Sequence, residues 1–272
     1  MHTQLVFLTE NLSLNTVTTE KELVISTNTT SKNIVLTERD FEILLFILQM
    51  KFSRVVDIYN KFFKINFSGH ESLTLRSAYR RLQLLEENSF LLSTKNFESA
   101  EKLYLLSAKG YYLLLRTNRI HNTMAFPVRK IDSRTYAHDL KLIQIRQRLE
   151  SDKKINKWVS ERSLKSEAEY LPLQKQSISP DALIVDAVGN KYALELELTL
   201  KSKNRYKEKI KNIVDYLRNT PDNEKSFIKV IYLVDKKSIK SCLFSEILIY
   251  KRYFYIFSVD EFLNYSGGVK CD

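Results

Sequence analysis

Glycine is unusually scarce in this chain, with five residues in 272 where about 7% is average. Gly69, Gly110, Gly189, Gly267 and Gly268 leave no room for a G-x-G-x-x-G turn or a Walker loop, so a nucleotide-cradling fold is not expected. Cysteine is scarcer still. Cys242 and Cys271 are too few for a disulfide scaffold or a thiolate zinc site. No apolar run approaches the ~20 residues that span a bilayer. Leu5–Leu8 gives way at once to polar Thr/Asn-rich sequence, which does not read as a signal peptide. These absences predict a cytosolic protein without membrane insertion. What is abundant is positive charge: 43 Lys+Arg against 32 Asp+Glu give a net charge of +11, which favours an anionic partner. The length suggests two domains, each able to bury a core. With 44% hydrophobic and 28% charged residues, the composition is that of an ordinary globular protein.

Residues 1–33 are rich in Thr, Asn and Glu and keep no period, as a flexible arm would. At Thr37-Glu38-Arg39-Asp40 a capping-box pattern begins a helix, and Phe41, Leu44, Leu45 and Leu48 continue it on one face. Ser53 offers the next N-cap, before a short helix carrying Val55, Ile58, Tyr59 and Phe62. A turn near Ser68-Gly69 precedes a third helix over 72–87, with Leu75, Ala78, Leu82 and Leu85 on its apolar side and Arg76, Tyr79, Arg80, Arg81 and Gln83 on the other. Strands Phe90–Thr94 and Leu103–Leu105 flank the polar stretch 95–102. Ser107 then caps a closing helix. Three helices, a hairpin and a helix over 34–116 make a winged helix-turn-helix, and the Ser107-x-Lys109-Gly110 step resembles winged-helix regulators related to MarR. In such a domain Arg76, Arg80 and Arg81 on the third helix and Lys102 in the wing are the candidate DNA contacts.

A basic linker, 117–133, leads to the second half, 134–265. Its pattern reads as a helix from Arg134 to Leu149, a strand near Trp158, and a loop ending at Ser179-Pro180-Asp181. Strands over 182–187 and 192–200 turn at Val188-Gly189-Asn190. A basic amphipathic helix spans 203–218, the apolar run Phe227–Val234 reads as a central strand, and a short helix and a last strand near Tyr253–Phe257 follow. The fold class is therefore mixed: an α+β winged helix followed by an α/β domain of order α-β-β-β-α-β-α-β.

The chemistry concentrates between 180 and 206. Glu195 and Glu197 alternate onto one face of a strand about 7 Å apart, and Asp181 starts the preceding strand of the same hairpin. Carboxylates so placed repel unless a divalent cation sits among them. Hard oxygen ligands favour Mg²⁺ or Mn²⁺ over zinc, and such an ion can act on a phosphodiester. Alternatives stand beside this reading. Glu-x-Glu can be the solvent side of a strand, Tyr206 can belong to the stripe Tyr206, Ile210, Ile213, Val214 and Leu217, and His138 reads as structural.

Asp181, Glu195 and Glu197 resemble the PD-(D/E)xK nuclease motif, with Glu197 standing where that motif usually has Lys. Glu161 resembles the fourth carboxylate of some members. The two halves together, with Glu-Leu-Glu-Leu-Thr and then Arg205-Tyr206 opening a helix, are similar to MOBC plasmid relaxases and the replication-relaxation family. That resemblance implies a metal-dependent enzyme that binds double-stranded DNA at an origin of transfer and nicks one strand to start conjugation, leaving a single-stranded product. Accessory relaxosome and coupling proteins are its implied partners. Asp181, Glu195, Glu197 and Glu161 would be metal ligands, Arg205 the basic partner and Tyr206 the candidate nucleophile, with Tyr232 a further match. The histidine cluster of the commonest relaxases is absent. Two other functions fit the same residues: a winged-helix regulator of transcription or replication with a non-catalytic second domain, and a restriction-type endonuclease that cuts both strands.

Overall fold

Thr37 is where extended chain becomes helix: its backbone N–H and its hydroxyl donate to Asp40 Oδ2 at 2.7 and 2.8 Å. That is the acid's half of the expected capping box. The computed structural model describes residues 34–64, 73–96 and 101–264, together with two short strands, β1 (Thr18–Thr19) and β2 (Glu22–Ile25). The expected turn at Ser68-Gly69 and residues 97–100 of the expected wing lie outside the described residues, as does the rest of the arm. Within the arm, β2 pairs antiparallel with both β1 and β3 (Ile34–Leu36). The apolar, β-branched runs Leu23-Val24-Ile25 and Ile34-Val35-Leu36 suit such pairing, and the aperiodic composition around them hid it.

Helix α1 (Glu38–Met50) follows, then the two-residue strand β4 (Ser53–Arg54) and helix α2 (Val55–Phe62). The N-cap of α2 is Arg54 and not Ser53, because Ser53 is drawn into the sheet opposite Tyr104. Helix α3 (Leu75–Glu87), the hairpin β5 (Leu91–Lys95) and β6 (Lys102–Leu106), and helix α4 (Ala108–Arg116) complete the first half. The order β4-β6-β5 makes a small sheet. The step into α4 docks on the turn after α3: Ser107 Oγ donates to Ser89 O at 2.6 Å and accepts from Gly110 N, while Lys109 Nζ reaches Asn88 O. A Cβ on Gly110 would lie 2.4 Å from Phe90 O, so only glycine permits this approach.

The second half contains α5 (Ser133–Ser151), β7 (Ile155–Ser160), α6 (Glu161–Ser166), α7 (Leu171–Lys175), β8 (Ala182–Asp186), β9 (Lys191–Glu197), α8 (Lys203–Asn219), β10 (Lys229–Val234), α9 (Lys237–Ile247), β11 (Phe254–Ser258) and α10 (Val259–Asn264). One sheet runs β11-β10-β9-β8-β7, antiparallel from β7 to β9 and parallel from β9 to β11. The stretch before Asp181, expected to be a loop, carries the short helices α6 and α7. The molecule is thus a mixed α/β chain with a helix-rich first half and a sheet-centred second half.

The sheet has a core on each face. Ala182, Ile184, Leu194, Leu196, Ile231 and Leu233 join α5 and the apolar interior of the first half in one continuous cluster. Leu183, Ala193, Val230, Tyr232 and Val234 pack instead with α8 and α9. The halves are therefore sewn together along α5. Phe52 stacks on Tyr136 with ring centroids 5.3 Å apart, and Arg146 lies over Phe46 while bonding Gln49 and Glu150. Residues 117–132 have no helix or strand, yet this basic connection is packed: Met124 and Ile131 are buried, and Tyr111 Oη donates to Met124 O. Among the described residues no helix is long and apolar enough to cross a membrane.

Candidate functional site

The start of β8 and the ends of β7 and β9 meet at one edge of the sheet, because β8 runs antiparallel to both neighbours. Asp181 precedes β8 there. Its Oδ2 accepts the Leu196 amide at 2.8 Å and lies 3.2 Å from His138 Nε2. That nitrogen is also 3.2 Å from Leu196 O, so the imidazole, Asp181 and the Leu196 peptide close a ring of contacts. Glu195 and Glu197 share the α8-facing side with Tyr232 and Val234, their partners in β10. Glu195 Oε2 accepts from Lys209 Nζ at 2.7 Å, and Lys201 Nζ lies 2.7 Å from both oxygens of Glu197.

Burial makes these charges consequential. Glu195 and Glu197 are 3% and 2% exposed. Burial, opposed by Lys209 and reinforced by the Asp181 charge, raises the Glu195 carboxyl to about 7. Asp181 is half-buried, yet the His138 contact, the Leu196 amide and Lys209 hold its carboxyl below the usual range. Burial works against a charged imidazole at His138, but Asp139 and Asp181 outweigh it and raise the ring to about 10. Lys209, between Glu195 and Asp181, is raised for the same reason. Two acids and two cations thus sit together at one end of the sheet, Glu195 buried and the others half-buried, and perturbed groups of this kind cluster at functional sites.

The carboxylates do not converge on one point as the sequence suggests. Each is claimed by a cation of the chain: Asp181 by His138, Glu195 by Lys209, Glu197 by Lys201. Glu161 is tied to Lys165. Among the described residues no three His, Cys, Asp or Glu side chains are gathered as a cation site. Asp181 and Glu195 remain neighbours and are the pair able to share one. The two expected partners of chemistry, Arg205 and Tyr206, are separated by the helix they share. Arg205 is exposed on α8, whereas Tyr206 is 1% exposed and packs with Ile210 and Ile213. Its hydroxyl accepts the Lys201 amide at 3.3 Å, and burial raises its pKa, the wrong direction for a nucleophile. Tyr232 is fully buried, its hydroxyl has no hydrogen-bond partner among the described residues, and burial next to Glu195 and Glu197 pushes its pKa well above the ordinary value.

On sequence alone His138 reads as structural and Lys209 is not singled out. Both had a signal. Lys209 follows Tyr206 by one helical turn, beside the core stripe, and His138 adjoins Asp139, an acid at a buried stripe position of α5. A cleft opens beside Asp181, lined also by Lys51, Asp139, Trp158, Glu161 and Arg162.

The candidate DNA contacts divide as well. Arg76 and Arg80 are exposed on α3 beside Tyr79, without an ion pair among the described residues. Arg81 has a structural use: its Nε donates to Asp40 Oδ1 and its Nη2 to Val35 O, both at 2.7 Å. Lys102 pairs with Glu86 and lies over the Tyr104 ring. Comparison with protein-family models, curated proteins and solved structures finds no match.

Proposed function

We propose that the protein is a DNA-nicking enzyme of the relaxase type, with a winged helix over 34–116 that binds duplex DNA and a PD-(D/E)xK-like centre over 134–265 that cuts one strand. One observation carries the reading: a buried Glu195 lies together with the half-buried Asp181 and Lys209 at one end of the sheet. They are the three residue types of that motif. The lysine comes from α8 instead of the strand position that Glu197 occupies. Buried ion pairs are commonly no more stable than apolar packing of the same volume, so stability alone does not account for this cluster. The helix, hairpin and helix order of the first half, with Arg76, Tyr79 and Arg80 outward on α3, supports docking of that helix in a major groove.

The donor set fits a hard divalent cation. Mg²⁺ characteristically takes one or two carboxylates and fills its other positions with water and substrate phosphate, and Asp181 and Glu195 supply such a pair. Bound there, Mg²⁺ or Mn²⁺ would supply positive charge for the scissile phosphate. The chain's own residues do the rest. Charged His138 and the Leu196 amide keep Asp181 ionised and fixed. Lys209 opposes the burial of Glu195 and can offer an N–H to a phosphate oxygen. Tyr206, enclosed in the core, leaves water as the attacking group.

A second reading has its own support, because every carboxylate of the site is ion-paired within the chain. That suits a DNA-binding regulator whose second half is structural. Supercoiled plasmid carrying the DNA beside this protein's own coding region separates the readings. Incubated with the protein and Mg²⁺ or Mn²⁺, it should give nicked circles. Linear product would indicate a double-strand endonuclease, and a mobility shift without cutting would indicate the regulator.

A further inference from the structure

Lys51 belongs to the first half but points its charge into the second. It follows α1 with φ 72° and ψ −43°, a backbone conformation that costs an L residue and spares glycine. Its neighbours hold it there: Met50 and Phe52 are buried, and Ser53 is fixed in β4 opposite Tyr104. The side chain enters the cleft beside Asp181. Nζ lies 2.8 Å from Asp139 Oδ1 and 3.6 Å from Glu161 Oε2, and Asp181 adds to the field at the ammonium. Asp139 is thereby held on both oxygens, since Thr135 Oγ1 donates to Oδ2 at 3.0 Å. The same Oδ1 faces His138 Nδ1 at 3.6 Å, and the other ring nitrogen meets Asp181 and Leu196 O.

We infer that Lys51 is a positioning residue lent by the first half to the carboxylate site: it fixes Asp139, which orients His138, which holds Asp181 against the Leu196 amide. Strained backbone is a reason to look for function, and here the strain sits at the residue whose ammonium crosses the junction. Any displacement of the end of α1 relative to α5 is passed along this chain to Asp181. The positioning itself is a matter of geometry; its effect on catalysis rests on the nicking reading above.

The test uses the full chain with Lys51→Met, Lys51→Arg and Lys51→Gly. Leu196 donates its amide to the Asp181 side chain, so hydrogen exchange at Leu196, followed by NMR, reports how firmly Asp181 is held. Lys51→Met should speed exchange at Leu196 about tenfold relative to Ile231 in the next strand. Lys51→Arg should restore it to within about threefold of the wild type, because the charge is kept. Lys51→Gly should loosen Leu196 as Met does, yet melt at a higher temperature than Lys51→Met, because glycine accepts the positive φ. Unchanged exchange at Leu196 in Lys51→Met, or equal acceleration at Leu196 and Ile231, overturns the assignment. Where the wild type nicks DNA, Lys51→Met should lower kcat about tenfold with KM changed less than about twofold; a change in KM alone rejects the catalytic consequence. A wild type that never nicks defeats the nuclease reading, while the exchange data still decide the positioning role.

Discussion

Helices α3 and α8 look alike in sequence, each amphipathic with a basic side, and the structure uses their charge in opposite directions. On α3, Arg76 and Arg80 stand in solvent. On α8, Lys209 turns inward to Glu195. The elements opposite decide the outcome. The inner side of α3 meets mostly apolar residues, so Arg76 and Arg80 find no ion-pair partner among the described residues; the inner side of α8 meets a strand bearing two acids. A basic helix is therefore a surface in one setting and part of a site in the other. Arg81 shows the same rule within α3, since the residue opposite it, Asp40, is a buried acid.

That contrast breaks first at the acids. Asp181→Ala and Glu195→Ala should each lower nicking at least about 100-fold while duplex affinity, measured by fluorescence anisotropy, stays at the wild-type value. Normal nicking by either variant would remove the proposed centre. The next effect falls on its cation. Lys209→Met strands Glu195 in the protein interior and should cost roughly 3 kcal/mol at pH 8. The cost should shrink at pH 5, where Glu195 takes up a proton, and urea unfolding at the two pH values checks both halves of the expectation.

The same groups set the pH dependence of stability in the presence of a chelator. Glu195 is raised from 4.5 to about 7, so the folded protein keeps a proton that the unfolded chain has lost, and stability declines as pH rises through that window. His138 is raised from 6.5 to about 10. Its contribution is complete below the lower value and disappears as pH rises through the upper one. The first window should be worth roughly 3 kcal/mol and the second roughly 5 kcal/mol. Glu195→Gln should flatten the first decline and His138→Asn the second; a flat profile in the wild type contradicts both assignments.

Smaller effects sharpen the comparison within α3. Arg80→Ala should weaken duplex binding by about 1–3 kcal/mol without changing thermal stability. Arg81→Ala should do the reverse, lowering stability by about 2 kcal/mol as Asp40 loses its partner. If both variants lost DNA affinity alone, the structural use of Arg81 would be wrong. The smallest change is expected at Tyr206→Phe. Its hydroxyl accepts one amide hydrogen bond, so stability should fall by about 1 kcal/mol or less. Nicking should remain near wild type; its loss would return Tyr206 to the role of nucleophile.

Much of the architecture was legible because periodicity survives in a single sequence. The stripes from Phe41, Leu75 and Tyr206 became α1, α3 and α8, and the apolar run ending at Val234 became the buried strand β10. Short apolar pieces carried less. Strand β2 and helices α6 and α7 lie in stretches too brief for a period to show, and the strand expected to reach 200 stops at Glu197, where the chain turns toward α8.

The sequence by itself determined the longer elements, their order and the gathering of acids and bases within one segment, since propensity, capping and hydrophobic period act over a few residues. It also placed Asp181, Glu195 and Glu197 near one another, because a hairpin is a local structure. Which cation meets which acid was decided only by the tertiary structure. Lys51 reaches Asp139 across 88 positions and His138 reaches Asp181 across 43, distances over which no local rule operates. Packing of α5 between the first half and the sheet brings those groups within hydrogen-bonding range, and packing of α8 on the other face gives Lys209 to Glu195 while enclosing Tyr206. Side chains three residues apart on one helix thus met opposite fates, because a helix on a sheet turns one of its neighbours toward the acids and the other into the core.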